Sequence, residues 1–222
     1  MLYIVATPIG NLSDITLRTL DTLKQVDLIL CEDTRHTQKL LSHYNIKTPT
    51  LSYHQHSRLT KLEQIIKLLE AGKNLALVTD AGTPGISDPG GKLVAEVVEK
   101  LGDGVKIETI PGPSALTAAI SISGLPTDSF IFLGFLPTKK GREKLFKEIA
   151  ESKRTIVFYE SPHRIIKTLN SLKEHCGSQQ LVVCREMTKK FETTYRGVAS
   201  EVLEKLSQDK IRGEFVVIVR GK

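Results

Sequence analysis

Asp80 stands just after an apolar run, in Leu75-Ala-Leu-Val-Thr-Asp80-Ala-Gly82-Thr-Pro84-Gly85-Ile-Ser-Asp88-Pro89-Gly90-Gly91. A carboxylate at this place is either a helix cap or a ligand group, and its surroundings favour the ligand group. The residues from Asp80 to Gly91 include four glycines, two prolines, two aspartates and two hydroxyl side chains. Glycine lets backbone atoms approach a ligand closely, and open α/β sheets bind ligands beyond the carboxyl ends of buried strands. Thr7-Pro-Ile-Gly10-Asn-Leu-Ser-Asp14 is a second turn of this kind, after the first apolar run. Two phosphate-binding signatures are absent: there is no GxxxxGK[ST], and no GxGxxG after the first strand, which argues against a Walker-type NTPase. His54-Gln55-His56 would place alternate imidazoles on one face of a strand. No third ligand signal accompanies them, the segment reads as a loop, and no metal is expected.

The elements that must carry these loops alternate strand and helix. Strands are expected at 2–6, 28–31, 50–53, 75–79 and 105–110, and helices at 15–25, 37–44, 59–71, 92–100 and 114–122. Ser13 or Asp14 is the expected cap of the first helix, and Gly72 closes the third. Such a βαβα order implies a mostly parallel sheet with helices on both faces. Pro111-Gly-Pro113 interrupts the pattern, and beyond it strands are expected at 130–135, 155–159, 181–186, 192–196 and 215–220. Helices are expected there at 141–150, 162–174 and 198–207. Two successive strands around Lys189-Lys190 imply antiparallel pairing, hence a mixed second sheet. The reading is α/β, with an N-terminal domain of residues 1–111, a C-terminal domain of 112–222 and a hinge near 111–115.

The chain of 222 residues carries a net charge of +6, unevenly placed. Residues 1–113 hold 12 Lys and Arg against 13 Asp and Glu, whereas residues 114–222 hold 19 against 12. A basic half suits a polyanion, although a lysine-rich solvated surface has the same composition. No apolar run approaches the roughly 20 residues that span a bilayer. The first residues enter a strand without a basic leader, and Cys31, Cys176 and Cys184 lack metal-ligand spacing. A reduced, cytoplasmic protein is expected, with no membrane partner.

Seven motifs occur in one order: Thr7-Pro-Ile-Gly-Asn-Leu-Ser-Asp14, Cys31-Glu-Asp-Thr-Arg35, Asp80 to Gly90, Ile110-Pro-Gly-Pro-Ser-Ala115, Phe158-Tyr-Glu-Ser-Pro-His-Arg164, Arg185-Glu-Met-Thr-Lys189 and Gly213-Glu-Phe-Val-Val-Ile-Val219. Together they resemble the small-subunit ribosomal RNA 2′-O-ribose methyltransferase I family, among the tetrapyrrole-methylase-like class III enzymes. The resemblance covers essentially the whole chain. It implies methyl transfer from S-adenosylmethionine to the ribose 2′-hydroxyl of a cytidine near the decoding site of 16S rRNA, in a homodimer with the cofactor in the cleft between the domains. It places Ile9, Gly10, Asp80, Gly82, Thr83, Ser114, Ala115, Phe135, Leu136, Met187, Glu214 and Phe215 beside the cofactor. Phe135 and Met187 suit core packing equally well.

Transfer of a methyl group asks mainly that the acceptor oxygen be held in line. A base or a positive environment would help the 2′-hydroxyl lose its proton. Glu160, His163, Glu186 and Lys189 are the candidates, with the base unassigned. Arg35, Arg164, Arg185 and Lys190, with Lys189, would suit phosphate contacts. Glu32-Asp33-Thr34-Arg35 is open to two readings, as a segment facing the same cleft or as a helix cap with a surface ion pair. Family members often carry Glu where Gln55 stands and Asn where Ser57 stands, which weakens any proton-transfer role there. They also commonly continue with a helical segment beyond the last strand, whereas this chain stops at Arg220-Gly-Lys222. The rival readings are a class III methylase of a tetrapyrrole precursor or other small molecule, and a catalytically inactive RNA-associated protein that binds the cofactor. The basic half favours RNA.

Overall fold

Leu2, Leu30, Leu75 and Leu77 bury one side of a set of short strands, and Val5, Ile29, Cys31, Ala76 and Val78 bury the other. Apolar residues on both sides of a strand are what a parallel sheet covered on both faces requires. In the computed structural model, which describes residues 1–54 and 59–222, the chain divides into two compact units, Met1–Ser114 and Ala115–Lys222. Gln55, His56, Ser57 and Arg58 lie outside the described residues, and so do the expectations made for them.

The first unit holds strands β1 (Leu2–Val5), β2 (Leu28–Cys31), β3 (Thr50–Ser52), β4 (Leu75–Leu77) and β5 (Ile107–Ile110). They form one parallel sheet in the order β3-β2-β4-β1-β5. Its helices are α1 (Leu17–Gln25), α2 (Thr34–His43), α3 (Leu59–Glu70) and α4 (Gly90–Leu101). The crossovers through α1 and α2 step toward the β3 edge, and those through α3 and α4 step back toward β5. Crossovers of one hand that reverse direction must change face. Accordingly Leu23, Leu40 and Leu41 from α1 and α2 pack with Val5, Ile29 and Val78. Ile65, Leu69, Leu93 and Val97 from α3 and α4 pack with Leu2, Leu30 and Leu77.

The first cap differs from expectation. Leu12–Asp14 is a turn of 3₁₀ helix capped by Asn11, and α1 begins only at Leu17. Thr16, with an extended backbone, is its cap: its hydroxyl oxygen accepts a hydrogen bond from the Thr19 amide at 3.0 Å. Gly72 closes α3 as expected, its amide donating to Leu69 O at 3.0 Å. Asp33 caps α2, which starts three residues earlier than the apolar spacing suggests.

The second unit holds α5 (Ala115–Ser123), β6 (Phe130–Phe135), α6 (Arg142–Glu151), β7 (Thr155–Glu160), α7 (Ile165–Cys176), β8 (Leu181–Arg185), β9 (Thr193–Gly197), α8 (Ala199–Ser207) and β10 (Phe215–Val219). Its sheet runs β6-β7-β10-β8-β9, parallel between β6 and β7 and antiparallel elsewhere. Phe146, Leu169, Leu172, Val202 and Leu206 from α6, α7 and α8 meet Phe158, Val183, Phe215 and Val217 in one core. The three thiols are buried. Burial raises the Cys176 thiol to about 11 and lifts Cys31 and Cys184 above the ordinary range. Among the described residues no helix is long and apolar enough to cross a membrane.

Phe158 is fully buried, so Phe158→Ala is expected to cost roughly 3–5 kcal/mol in urea unfolding. Thr16→Ala should cost about 1 kcal/mol, whereas Ser13→Ala, at the position first expected to cap, should cost nothing measurable.

Candidate functional site

The first unit concentrates its loops beyond the carboxyl ends of β1 and β4. These strands are neighbours, yet the helices that follow them lie on opposite faces of the sheet. Such a reversal parts the loops and is the general ligand position of open α/β sheets. Thr7 and Gly82 clasp the two loops: the Thr7 amide donates to Gly82 O at 2.9 Å, and the Gly82 amide to Thr7 O at 3.0 Å. The Thr7 hydroxyl adds a bond to Thr79 O at 3.2 Å. Ile9 is packed inward while Gly10 is exposed at the tip of the turn. Thr83 joins the third loop by donating its hydroxyl to Pro113 O at 3.2 Å, one residue before Ser114.

Asp80 is half-buried and accepts the Asp33 amide at 3.3 Å, which ties the loop after β4 to the loop after β2. Asp88 folds the rest of the glycine-rich loop, accepting from the Gly85 amide at 2.9 Å and from the Gly90 amide at 2.6 Å. A Cβ on Gly90 would come within 2.8 Å of Asp88 Oδ1 and 2.9 Å of the Gly85 amide nitrogen, so no larger residue fits there. Beneath the loop Glu32, Tyr53, Thr79 and Asp88 help to line a cavity of about 10 Å³, large enough for roughly one water. Burial, together with the charges of Asp80 and Asp88, holds the Glu32 carboxyl above its ordinary range. The residues present fit a cationic, amine-bearing ligand: they offer carboxylates, carbonyls and a turn open at Gly10. Sequence reasoning left Glu32 open between the ligand site and a helix cap, and did not single out Asp88 within the glycine-rich loop. Their signal was the adjacency of β2 and β4, which residue order along the chain does not reveal.

Arg35 is the cap-and-ion-pair alternative. Its guanidinium lies against the Asp33 carboxylate at 2.7 and 3.1 Å, and the same carboxylate caps α2 through the Arg35 amide. That pairing holds the Asp33 carboxyl well below the usual carboxylate range. Among the described residues no group of three or more His, Cys, Asp or Glu side chains could hold a metal ion.

In the second unit the sheet register gathers the expected residues in one row. Glu160 pairs with Phe215, and Phe215 pairs with Arg185. Phe135 ends β6 beside Tyr159 after a bulge. Phe135 is 55% exposed and edge-on to Tyr159, with ring centres 5.5 Å apart. Leu136, Met187 and Phe215 are buried, and Leu136 and Phe215 belong to the core. Ala115 opens α5, and Glu214 is exposed.

The four proton-handling candidates have different surroundings. Glu160 is 1% exposed. Its carboxylate accepts from Arg164 Nε at 2.6 Å, the Thr168 hydroxyl at 2.6 Å and the Ser161 amide at 2.8 Å. Arg164 also donates to Leu136 O at 2.8 Å, and Arg142 donates to Pro137 O and to the Thr168 hydroxyl. A buried carboxylate engaged by three donors anchors its surroundings and is shut away from solvent, which is the place of a structural group rather than a base. Arg164 is therefore spent inside the fold. Arg185 is too: it is buried, donates to Arg212 O at 3.0 Å and faces Asp209 at 3.8 Å.

Glu186 and Lys189 form an ion pair at 2.8 Å, and the Lys189 ammonium also reaches Glu214 at 2.8 Å. The Glu214 amide donates to Glu186 at 3.0 Å. Glu186 and Thr188 hold φ of 51° and 63°, a left-handed conformation that costs side-chain-bearing residues energy and clusters at functional sites. Gly213 makes room for this arrangement, since a Cβ there would lie 2.2 Å from Glu186 Cδ. Burial opposes both charges. The Lys189 and Glu214 hydrogen bonds outweigh it, lowering the Glu186 carboxyl and raising the Lys189 ammonium beyond their ordinary ranges. His163 stands exposed at the turn before α7, and Lys190 is exposed after the ion pair.

With this geometry in view, residues 1–203 match the family model for tetrapyrrole (corrin/porphyrin) methylases. The chain is 48% identical to ribosomal RNA small subunit methyltransferase I of Synechocystis sp., over 100% of this chain and 79% of that protein. It is 47% identical to the protein of the same name from Thermotoga maritima, over 100% and 98%. The chain belongs to the ribosomal RNA small subunit methyltransferase I family, within the tetrapyrrole methylases. Its fold is also that of a uroporphyrin-III C-methyl transferase from Thermus thermophilus complexed with S-adenosyl homocysteine. That match has a TM-score of 0.66 at 18% identity and covers 99% of this chain and 96% of that one. As a member of the family it is an S-adenosylmethionine-dependent methyltransferase.

Two outcomes follow for these groups. Glu160→Ala strands Arg164 and Thr168, and should lower the unfolding free energy by about 3–5 kcal/mol in a denaturant titration. The Glu186–Lys189 pair should hold the loop from pH values near the ordinary carboxyl value of 4.5 up to beyond the ordinary lysine value of 10.5. Its contribution is lost below that window, as Glu186 protonates, and above it, as Lys189 deprotonates. Lys189→Met should remove the alkaline loss in a pH series of thermal unfolding.

Proposed function

We propose that this protein transfers the methyl group of S-adenosylmethionine to the ribose 2′-hydroxyl of a cytidine near the decoding site of small-subunit rRNA, acting in the cytoplasm as a homodimer. The observation that carries the reading is full-length identity of 47–48% to proteins named for small-subunit rRNA methylation. The charge division adds support: residues 114–222 carry 19 Lys and Arg against 12 Asp and Glu, as a phosphate-binding half would. Exposed Phe130, Ile131 and Phe135 on the edge strand β6 support self-association.

S-adenosylmethionine supplies an activated methyl group on a cationic sulfonium. The chain's own part is to bind and orient. Ile9, Gly10, Gly82 and Thr83 give an apolar wall and backbone groups for the cofactor, and Asp80 gives a carboxylate for its cationic end. Holding the acceptor oxygen in line supplies most of the acceleration such a transfer needs. Glu160 acts through Arg164 to fix the Leu136 carbonyl, and Arg142 holds that of Pro137. Lys189, tied to both Glu186 and Glu214, holds the 186–189 loop in shape. Among the described residues His163 is the one of the four candidates outside these buried or paired groups, and it takes the role of base.

Asp80→Asn should weaken cofactor binding in calorimetry by about ten- to a hundredfold, the scale of a lost hydrogen bond to a charged group. Radiolabelled methyl should pass to small subunits from a strain lacking the modification, and not to large subunits or precorrin-type tetrapyrroles. Cofactor binding without transfer to small subunits would overturn the reading. Sedimentation of the full chain should give the mass of two copies.

A further inference from the structure

Phe191 is 66% exposed, the most exposed aromatic side chain among the described residues. A single exposed apolar residue is ordinary on its own. Phe191, however, is held at the tip of a connection tied by hydrogen bonds on both sides of the ring. The Lys189 amide donates to Glu186 O at 3.0 Å and the Glu192 amide to Lys189 O at 3.1 Å. The Thr188 amide donates to the Glu192 carboxylate at 2.7 Å, and the Thr193 hydroxyl to Phe191 O at 3.2 Å. The positive φ values of Glu186 and Thr188 are maintained within this same connection. A loop that maintains strained residues to present a phenyl ring to solvent is organised in advance for something that covers the ring.

The charges beside the ring indicate what that is. Lys189 is neutralised by Glu186 and Glu214. Lys190, exposed, places its ammonium 5.7 Å from the centre of the Phe191 ring. An aromatic face with an adjacent cation fits a nucleobase and its phosphate, the pairing by which single strands are gripped without regard to sequence. The excess of basic residues in the same unit favours a polyanion over an apolar protein surface or a second copy of the chain.

We propose that Phe191 is a stacking platform for an unpaired base of the RNA substrate, with Lys190 contacting the adjoining phosphate. This deepens the reading of the protein as an rRNA methyltransferase and rests on it. The variants Phe191→Ala, Phe191→Leu and Phe191→Trp separate a π-face from mere apolar bulk. In methyl transfer to unmodified small subunits, Phe191→Ala and Phe191→Leu should raise KM by roughly ten- to a hundredfold, the range of a lost base–aromatic stack. Phe191→Trp should stay near wild type. Binding of a fluorescein-labelled single-stranded oligoribonucleotide, followed by anisotropy, should show the same order, and Lys190→Ala should flatten its salt dependence. Cofactor affinity in calorimetry and sedimentation mass should match wild type in every variant.

Equal oligoribonucleotide binding by wild type and Phe191→Ala would overturn the proposal. So would recovery with Leu as complete as with Trp, weakened cofactor binding, or a changed mass, the last marking the ring as a contact between copies. Wild-type protein that binds cofactor but methylates no small subunit would instead defeat the functional reading, with the oligoribonucleotide series still deciding the role of Phe191.

Discussion

Much in the first unit depends on the constraint that parallel strands cannot be joined by hairpins. Each strand must return through a helix, and the crossovers share one hand. When the chain stops stepping toward β3 and turns back toward β5, its helices must change face, and the loops after β1 and β4 are pushed apart. The Thr7–Gly82 clasp then fixes how far they part. The acidic groups Glu32, Asp33, Asp80 and Asp88 gather at these strand ends because β2 and β4 are neighbours. Each carboxylate is tolerable because backbone amides, an arginine or solvent meets it, and their joint negative potential suits a cationic methyl donor.

The second unit solves a different problem with a different interaction. Its sheet is mixed, and its core lies mainly between one face and the helices α6, α7 and α8. Glu160, at the end of β7, is almost wholly buried and charged, so its environment has to supply donors. Arg164, Thr168 and the Ser161 amide do so, and the arginines reach on to the carbonyls of Leu136 and Pro137. A buried ion pair of this kind adds little net stability compared with apolar packing, but it fixes geometry because every alternative leaves a charge stranded. The loop of Glu186 to Lys189 is held in the same way nearer the surface, with salt bridges and a glycine offsetting left-handed backbone.

Secondary structure was legible where local rules dominate. The continuous apolar run of Leu75 to Val78, the Gly72 terminus of α3 and the antiparallel turn around Lys189-Lys190 all follow from neighbours in sequence. The first helix cap was misjudged because Ser13, Asp14 and Thr16 are all competent caps. The choice fell to the backbone: Leu12–Asp14 closes a separate 3₁₀ turn, which leaves Thr16 extended and ahead of the first full helical turn. The motif 185–189 was visible as a string of charged residues. That Glu186 and Lys189 neutralise each other while Lys190 stands apart could not be read from the string, since all three lie within a few residues.

By itself the sequence determined the α/β class, the parallel and mixed character of the two sheets, and the family. Each of these rests on periodicity, on glycine and proline placement, or on motifs short enough to be local. Tertiary structure alone decided which charged side chains are spent inside the fold. Glu160, Arg164 and Arg185 have the composition of a reactive cluster, yet burial obliges each to satisfy its charge on partners from other elements. Lys190 and Phe191, a few residues beyond Arg185, keep their exposure at the tip of the turn after β8. Residue type sets what a side chain can do, and the solvent it keeps after folding sets what it is left to do.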